Sequence, residues 1–186
     1  AATSTFGSGA WGKPCFPREP LSSSHGNADG DSLAGADSLL GVQTVVPMLA
    51  YEDGVRAIDW LTRAFGFQEN EGARFVSNGT VTHAELDVGD GSVVYIATPT
   101  PDYESPSHHR ETCEQARRWQ DNEWVIDGVS VIVRDVDDHA ERARAAGATI
   151  LREPEDVSDV GLRVYTAEDL EGHRWMFTEP LAGSRS

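Results

Sequence analysis

Lysine is almost missing from this chain: Lys13 is the only one among 15 basic residues, against 31 aspartates and glutamates, giving a formal charge of -16 and a pI near 4.6. So acidic a chain repels phosphate backbones, which excludes nucleic acid as an expected partner. Cysteine is scarce as well. Cys15 and Cys113 are the only two, one near the start and one deep in the chain, too few for a disulfide framework, and a reducing cytoplasm is the plain reading. No window approaches the roughly 18 uninterrupted apolar residues of a membrane span. The first residues lack the basic start and apolar block of a secretory signal, so neither a membrane nor export is expected. Nucleophilic catalysis is not advertised: no serine lies in an elbow such as G-x-S-x-G, and Cys113 has no motif around it.

What is present falls into unequal parts. Residues 1–42 are rich in Gly, Ser, Ala, Pro and Asp, with Phe6, Trp11 and Phe16 as isolated apolar points and no helical or alternating period. Such a segment cannot bury enough to fold alone and reads as a low-complexity tail, or as a strap anchored by Trp11 and Phe16. From Gln43 the text changes. Thr44 to Ala50 reads as a strand, and Asp53 to Phe65 as a helix that Gly66 ends. Strands are expected from Glu69 to Val76, Val81 to Val88 and Ser92 to Thr98, the last two joined across Gly89, Asp90 and Gly91.

After an irregular connector over 99–127 the same order returns. Gly128 to Val133 is a strand, Val136 to Ala146 a helix stopped by Gly147, and Thr149 to Arg152, Gly161 to Ala167 and His173 to Thr178 are strands. The two halves keep register: Arg63, Ala64 and Gly66 lie 81 residues before Arg144, Ala145 and Gly147, and Gly91 lies 81 before Gly172. Helix ends and hairpin turns repeating at one offset indicate a duplicated supersecondary unit. Each unit alone exposes one face of a curved sheet, so the two are expected to share their concavity.

Several segments resemble the vicinal oxygen chelate superfamily of glyoxalases, bleomycin-resistance proteins and dioxygenases, especially its PhnB-like branch. They are V-P-M-L-A-Y-E-D-G-V-R-A-I-D-W-L-T-R-A-F-G-F at 46–67, H-A-E-L-D-V-G-D-G at 83–91, V-I-V-R-D-V-D-D-H-A-E-R-A-R-A-A-G-A at 131–148 and A-E-D-L-E-G-H-R-W-M-F at 167–177. The closing D-x-x-G-H-R-W is the most specific of them. The resemblance implies an α+β fold of two tandem βαβββ modules, 43–98 and 128–180, forming a curved eight-stranded mixed sheet around a central cavity, with 181–186 as a short C-terminal tail. It implies an activity less narrowly, because members include isomerases, dioxygenases, thiol transferases and binding proteins.

Enzymes of the superfamily usually hold a divalent metal with His, Glu, His and Glu. Carried over residue by residue, the histidines fall on Val46 and Gly128 and the glutamates on Tyr95 and Met176. None is an ordinary ligand for a hard cation, so no metal and no other cofactor is expected. His108, His109 and Cys113 in the connector are an alternative donor group, set against the plainer reading of polar residues on a surface helix. His139 and His173 read as a helix-surface and a turn residue.

Strand alternation selects the cavity face. With a three-residue loop at 89–91, Ala84 and Leu86 pair with Ile96 and Val94 under a helix, leaving His83, Glu85, Asp87 and Tyr95 toward the cavity; the other register would bury that charged row at several kcal/mol per unpaired charge. The expected ligand-binding set is Val46, Met48, His83, Glu85, Tyr95, Trp124, Ser130, Arg174 and Met176, a mixed lining suited to a drug-sized organic molecule. The leading expectation is metal-free binding of a small, partly aromatic compound, with antibiotic or toxin sequestration as one case. The rival is an enzyme of the superfamily (isomerase, lyase or dioxygenase) that uses a relocated metal or His83 and Glu85 as an acid and base pair. A closed monomer and a homodimer are both compatible with the duplicated chain.

Overall fold

The computed structural model describes residues 43, 45–120, 122 and 128–182. The expected tail and Trp124 lie outside these. The elements are β1 (Met48–Ala50), α1 (Gly54–Phe65), β2 (Gln68–Glu69), β3 (Phe75–Ser77), β4 (Thr80–Gly89), β5 (Ser92–Ala97), α2 (Pro106–Thr112), α3 (Glu114–Gln120), β6 (Val129–Ile132), α4 (Val136–Ala145), β7 (Thr149–Val157), β8 (Leu162–Glu168) and β9 (Arg174–Pro180). The fold is α+β with two βαβββ modules. The strands form two separately hydrogen-bonded sheets rather than one continuous eight-stranded sheet: β1-β5-β4-β2 with β3 also on β4, and β6-β9-β8-β7. In each, the first strand pairs in parallel with the last and the others are antiparallel.

The punctuation repeated at 81 residues is real backbone geometry. Gly66 and Gly147 end the two helices at φ 75° and 94°, and Gly91 and Gly172 turn the two hairpins at φ 77° and 84°, a region that side chains disfavour. Asp53 and Asp135 cap the helices by accepting from Arg56 N and Asp138 N. Two local expectations change. The strand expected from Glu69 to Val76 is split by a single 3-10 turn over Glu71–Ala73. The central hairpin closes on Asp90 and Gly91 with Gly89 opposite Ser92, and a bulge between Asp87 and Gly89 absorbs the extra residue, so Ala84 still pairs with Ile96 and Leu86 with Val94.

The modules join behind their sheets. Phe65, at the end of α1, lies within 6.0 Å of the rings of Trp60, Phe67, His139, Trp175 and Phe177, and Trp60 Nε1 donates to Ala146 O at the end of α4. This shared aromatic core leaves the front faces open. Met48 and Ile132 are 76% and 75% exposed and Phe75 is 60% exposed, so the described residues line open faces where the sequence suggested a closed hollow.

A polar lock completes the joint. Asp169, buried in the β8–β9 turn, accepts from Tyr51 hydroxyl at 2.6 Å and Trp175 Nε1 at 3.0 Å through one oxygen, and from Glu171 N and His173 N at 3.0 Å through the other. Glu171 accepts from Glu52 N and Asp53 N, and burial raises its pKa. His173 Nε2 donates to Ala50 O at 2.8 Å. The D-x-x-G-H-R-W segment therefore clamps the second module's last hairpin onto the β1–α1 connection of the first.

Replacing Asp169 by Ala orphans four donors, and urea unfolding is expected to show a loss of about 3 kcal/mol or more; a loss below about 1 kcal/mol would contradict the lock. His139 supplies a pH test. Its Nε2–H donates to Phe65 O, so Nδ1 accepts from Tyr165 hydroxyl at 2.6 Å, and burial, with Arg142 next, lowers its pKa to about 4. The unfolded imidazole protonates near 6.5 while the folded one stays neutral, so stability present above pH ~6.5 is lost as pH falls toward the folded value. Unfolding midpoints measured between those limits should fall more steeply for the parent than for His139→Gln.

Candidate functional site

The front face of the first module is built by cross-strand pairing. Phe75 on β3 lies opposite His83 on β4, Glu85 two residues on lies opposite Tyr95 on β5, and Met48 on β1 lies opposite Tyr95 on its other side. Period-two alternation places all five on one side of the sheet, while Ala84, Leu86 and Ile96 fill the core behind. His83 meets Tyr95 edge-on at 4.7 Å and Phe75 at 5.9 Å. Glu85 is 8% exposed; its oxygens meet His83 Nε2 at 3.4 Å and Asn70 Nδ2 at 3.3 Å, both at the long end of hydrogen bonding. The structure thus brings together Met48, His83, Glu85 and Tyr95. Val46 is half-buried just before β1, where the neighbouring Pro47 carbonyl accepts from Tyr95 N.

The second module repeats the construction. Ser130, Met176, Thr166 and Arg152 form a row across β6, β9, β8 and β7, with Trp175, Phe177 and Tyr165 behind in the core. Arg174 lies on this front side as expected, but its guanidinium is engaged: Nε donates to Glu168 at 2.9 Å and Nη1 to Asn122 O. Arg110 of α2 holds both oxygens of the same glutamate at 3.0 and 2.9 Å. The connector is therefore a packed strap at its first half. Tyr103 hydroxyl donates to Ala50 O, Ser105 N to Glu52, and Ser107 N to Glu171 O.

That strap explains its histidines. His108 Nδ1 meets Glu52 at 3.1 Å and His109 Nδ1 meets Glu104 at 3.4 Å, while Cys113 is buried and is no free thiol. Among the described residues no group of three or more His, Cys, Asp or Glu is arranged to hold a metal ion. The four positions that resemble the superfamily's ligands carry Val46, Tyr95, Gly128 and Met176, two of them without any side-chain donor, and this set does not suit a hard divalent cation. A groove of about 600 Å³ between α1 and β2, bordered by Ile58, Asp59, Arg63 and Glu69, contains none of the expected site residues.

Sequence reasoning missed Phe75, Asn70 and Thr166. Phe75 and Asn70 lay in a run read as one strand, and only the 3-10 turn aims them at His83 and Glu85. Thr166 is 5% exposed and its hydroxyl has no hydrogen-bond partner, a buried polar atom left open beside Met176 on the front row. Thr166→Val should raise stability by about 1 kcal/mol in chemical denaturation, because it removes an unpaired hydroxyl at constant shape; destabilisation would show that the hydroxyl is satisfied.

Among curated protein sequences none matches the chain. The profile of the Glyoxalase/Bleomycin resistance protein/Dioxygenase superfamily matches residues 43–177. The crystal structure of TioX from Micromonospora sp. ML1 aligns with a TM-score of 0.54 at 37% identity, covering 77% of this chain and 100% of TioX. A glyoxalase I mutant from Zea mays aligns with a TM-score of 0.52 at 20% identity over 73% of this chain and 46% of its own, and UcmS2 with 0.51 at 15% identity over 74% and 98%; these two show the fold alone. The duplicated modules, the profile match and the likeness to TioX together place the conclusion beyond the fold: the chain belongs to the glyoxalase, bleomycin resistance protein and dioxygenase superfamily.

Proposed function

We propose that this protein binds a small, partly aromatic organic molecule without a metal, and that sequestration of an antibiotic or toxin is the use of that binding. One observation carries the reading: Met48, Phe75, His83 and Tyr95 share a sheet face with Glu85 and Asn70, whereas the positions that resemble metal ligands carry no histidine or carboxylate. Apolar and aromatic area with a few polar groups is what a drug-sized guest needs. The PhnB-like branch is the part of the superfamily that its motifs resemble.

The two front faces are too exposed to enclose a guest on their own. We assign their cover to a second copy of the chain, because large side chains such as Met48, Phe75 and Ile132 on facing surfaces gain by mutual burial. No helix among the described residues is long and apolar enough to cross a membrane.

The enzymatic reading has one observation in its favour, the contact between His83 and Glu85, in which the carboxylate can orient the imidazole for proton transfer. His83→Ala separates the readings: loss of a turnover with affinity kept supports catalysis, and weakened affinity with no turnover supports binding.

Two outcomes are expected. Calorimetric titration with α-methylnaphthalene should show saturable binding that Tyr95→Ala weakens roughly fivefold, the order of a lost aromatic contact; equal affinity in both would remove Tyr95 from the site. Light scattering should give twice the 20.2 kDa chain mass, and Met48→Asp should shift it toward one chain. A parent protein of single-chain mass would reject the second copy as cover.

A further inference from the structure

Four carboxylates are buried among the described residues: Glu85, Glu168, Asp169 and Glu171. Three are fully used. Glu168 is held by the guanidinium groups of Arg110 and Arg174, Asp169 takes four hydrogen bonds, and Glu171 accepts two backbone amides at the start of α1. Glu85 differs. Its carboxylate meets an amide and an imidazole at 3.3 and 3.4 Å, and among the described residues no arginine forms an ion pair with it. An amide and an imidazole at these distances hold the carboxylate loosely, although a buried anion ordinarily requires a close counter-charge.

The surroundings are those that a cation prefers. Tyr95 stands directly across the ladder from Glu85, His83 packs on Tyr95, and Phe75 packs on His83. Ring faces attract cations through their quadrupole, most strongly where water is displaced. The formal charge of -16 adds a long-range field of the same sign, which raises the local concentration of positively charged guests.

From this geometry we infer that Glu85 is the anionic centre of a cation-recognising subsite, so that the guest carries a positively charged nitrogen on an aromatic or alkyl frame, such as an N-alkylated heteroaromatic or a protonated amine. The inference rests on the binding reading given above and names the chemical class of its ligand. The nitrogen sits against the Glu85 carboxylate, with its carbon frame on Tyr95, His83 and Phe75.

The test compares two probes of one shape, N-methylquinolinium and α-methylnaphthalene, titrated calorimetrically into the full-length protein at about 50 mM and about 500 mM salt, the higher concentration suppressing the long-range field. The cation is expected to bind at least tenfold more tightly at both. Glu85→Gln should bring that ratio below about threefold. Phe75→Leu, at an exposed position that leaves the core intact, should lower the ratio while Glu85 remains, and it decides the matter if Glu85→Gln does not fold. Equal affinity for the two probes overturns the cation subsite and leaves the binding reading standing. A preference that survives Glu85→Gln, or that vanishes at high salt in the parent, assigns the effect to the acidic surface and also overturns it. Failure of both probes to bind overturns the subsite and the binding reading together.

Discussion

Asp169 sets the relation between the two modules. One buried carboxylate accepts from a tyrosine of the first module, a tryptophan of its own and two backbone amides of its own turn, which holds the β8–β9 turn in the conformation in which Glu171 and His173 reach the β1–α1 connection. β1 is only three residues long and is held in the sheet by its parallel pairing with β5. The lock fixes the far end of that strand, and with it the position of Met48 beside Tyr95. The D-x-x-G-H-R-W segment, the most specific part of the resemblance, is thus in this chain an architectural clamp whose chemistry is hydrogen bonding.

With the joint placed behind the sheets, function is left to the fronts. Aromatic packing around Phe65 and the pairing of Trp60 with Ala146 bury the backs of both modules, and alternation then presents every second residue of β4, β5, β6, β8 and β9 to the other side. The two fronts are differently dressed. The first carries rings around a thinly supported carboxylate; the second carries Met176, Ser130 and an unpaired threonine hydroxyl, with Arg110 and Arg174 committed to Glu168 and Arg152 paired with Glu155. A guest lying between such surfaces is gripped by stacking and shape and oriented by a few polar atoms.

Much of this was legible in the sequence because it is local or periodic. The constant spacing of Gly66 from Gly147 and of Gly91 from Gly172 marked a duplication whose turns require positive φ, and the cost of burying His83, Glu85 and Asp87 selected the register that puts Ala84 opposite Ile96. What escaped was set by tertiary contacts. The bulge before Gly89 changes the loop length without changing the faces, which periodicity cannot register. The 3-10 turn at Glu71–Ala73 follows from Asn70 and Gly72 interrupting an apparent strand, and it is what carries Phe75 to His83. Arg174 looked available from alternation alone; the hairpin register sets Glu168 directly opposite it, but Arg110, 58 residues before Glu168, is brought to the same carboxylate only by the packing of the connector. The back-to-back joining of the modules depends on Phe65 and Trp175 meeting across more than a hundred residues of chain.

Everything in the functional account depends on the guest being held by rings, shape and a carboxylate rather than by a resident cation. Elemental analysis of the purified full-length protein measures this most directly. Divalent metal far below one equivalent per chain is expected, with ligand titrations unchanged by a chelator. One equivalent of zinc, manganese, nickel or iron per chain, with binding or turnover abolished on its removal, would contradict it.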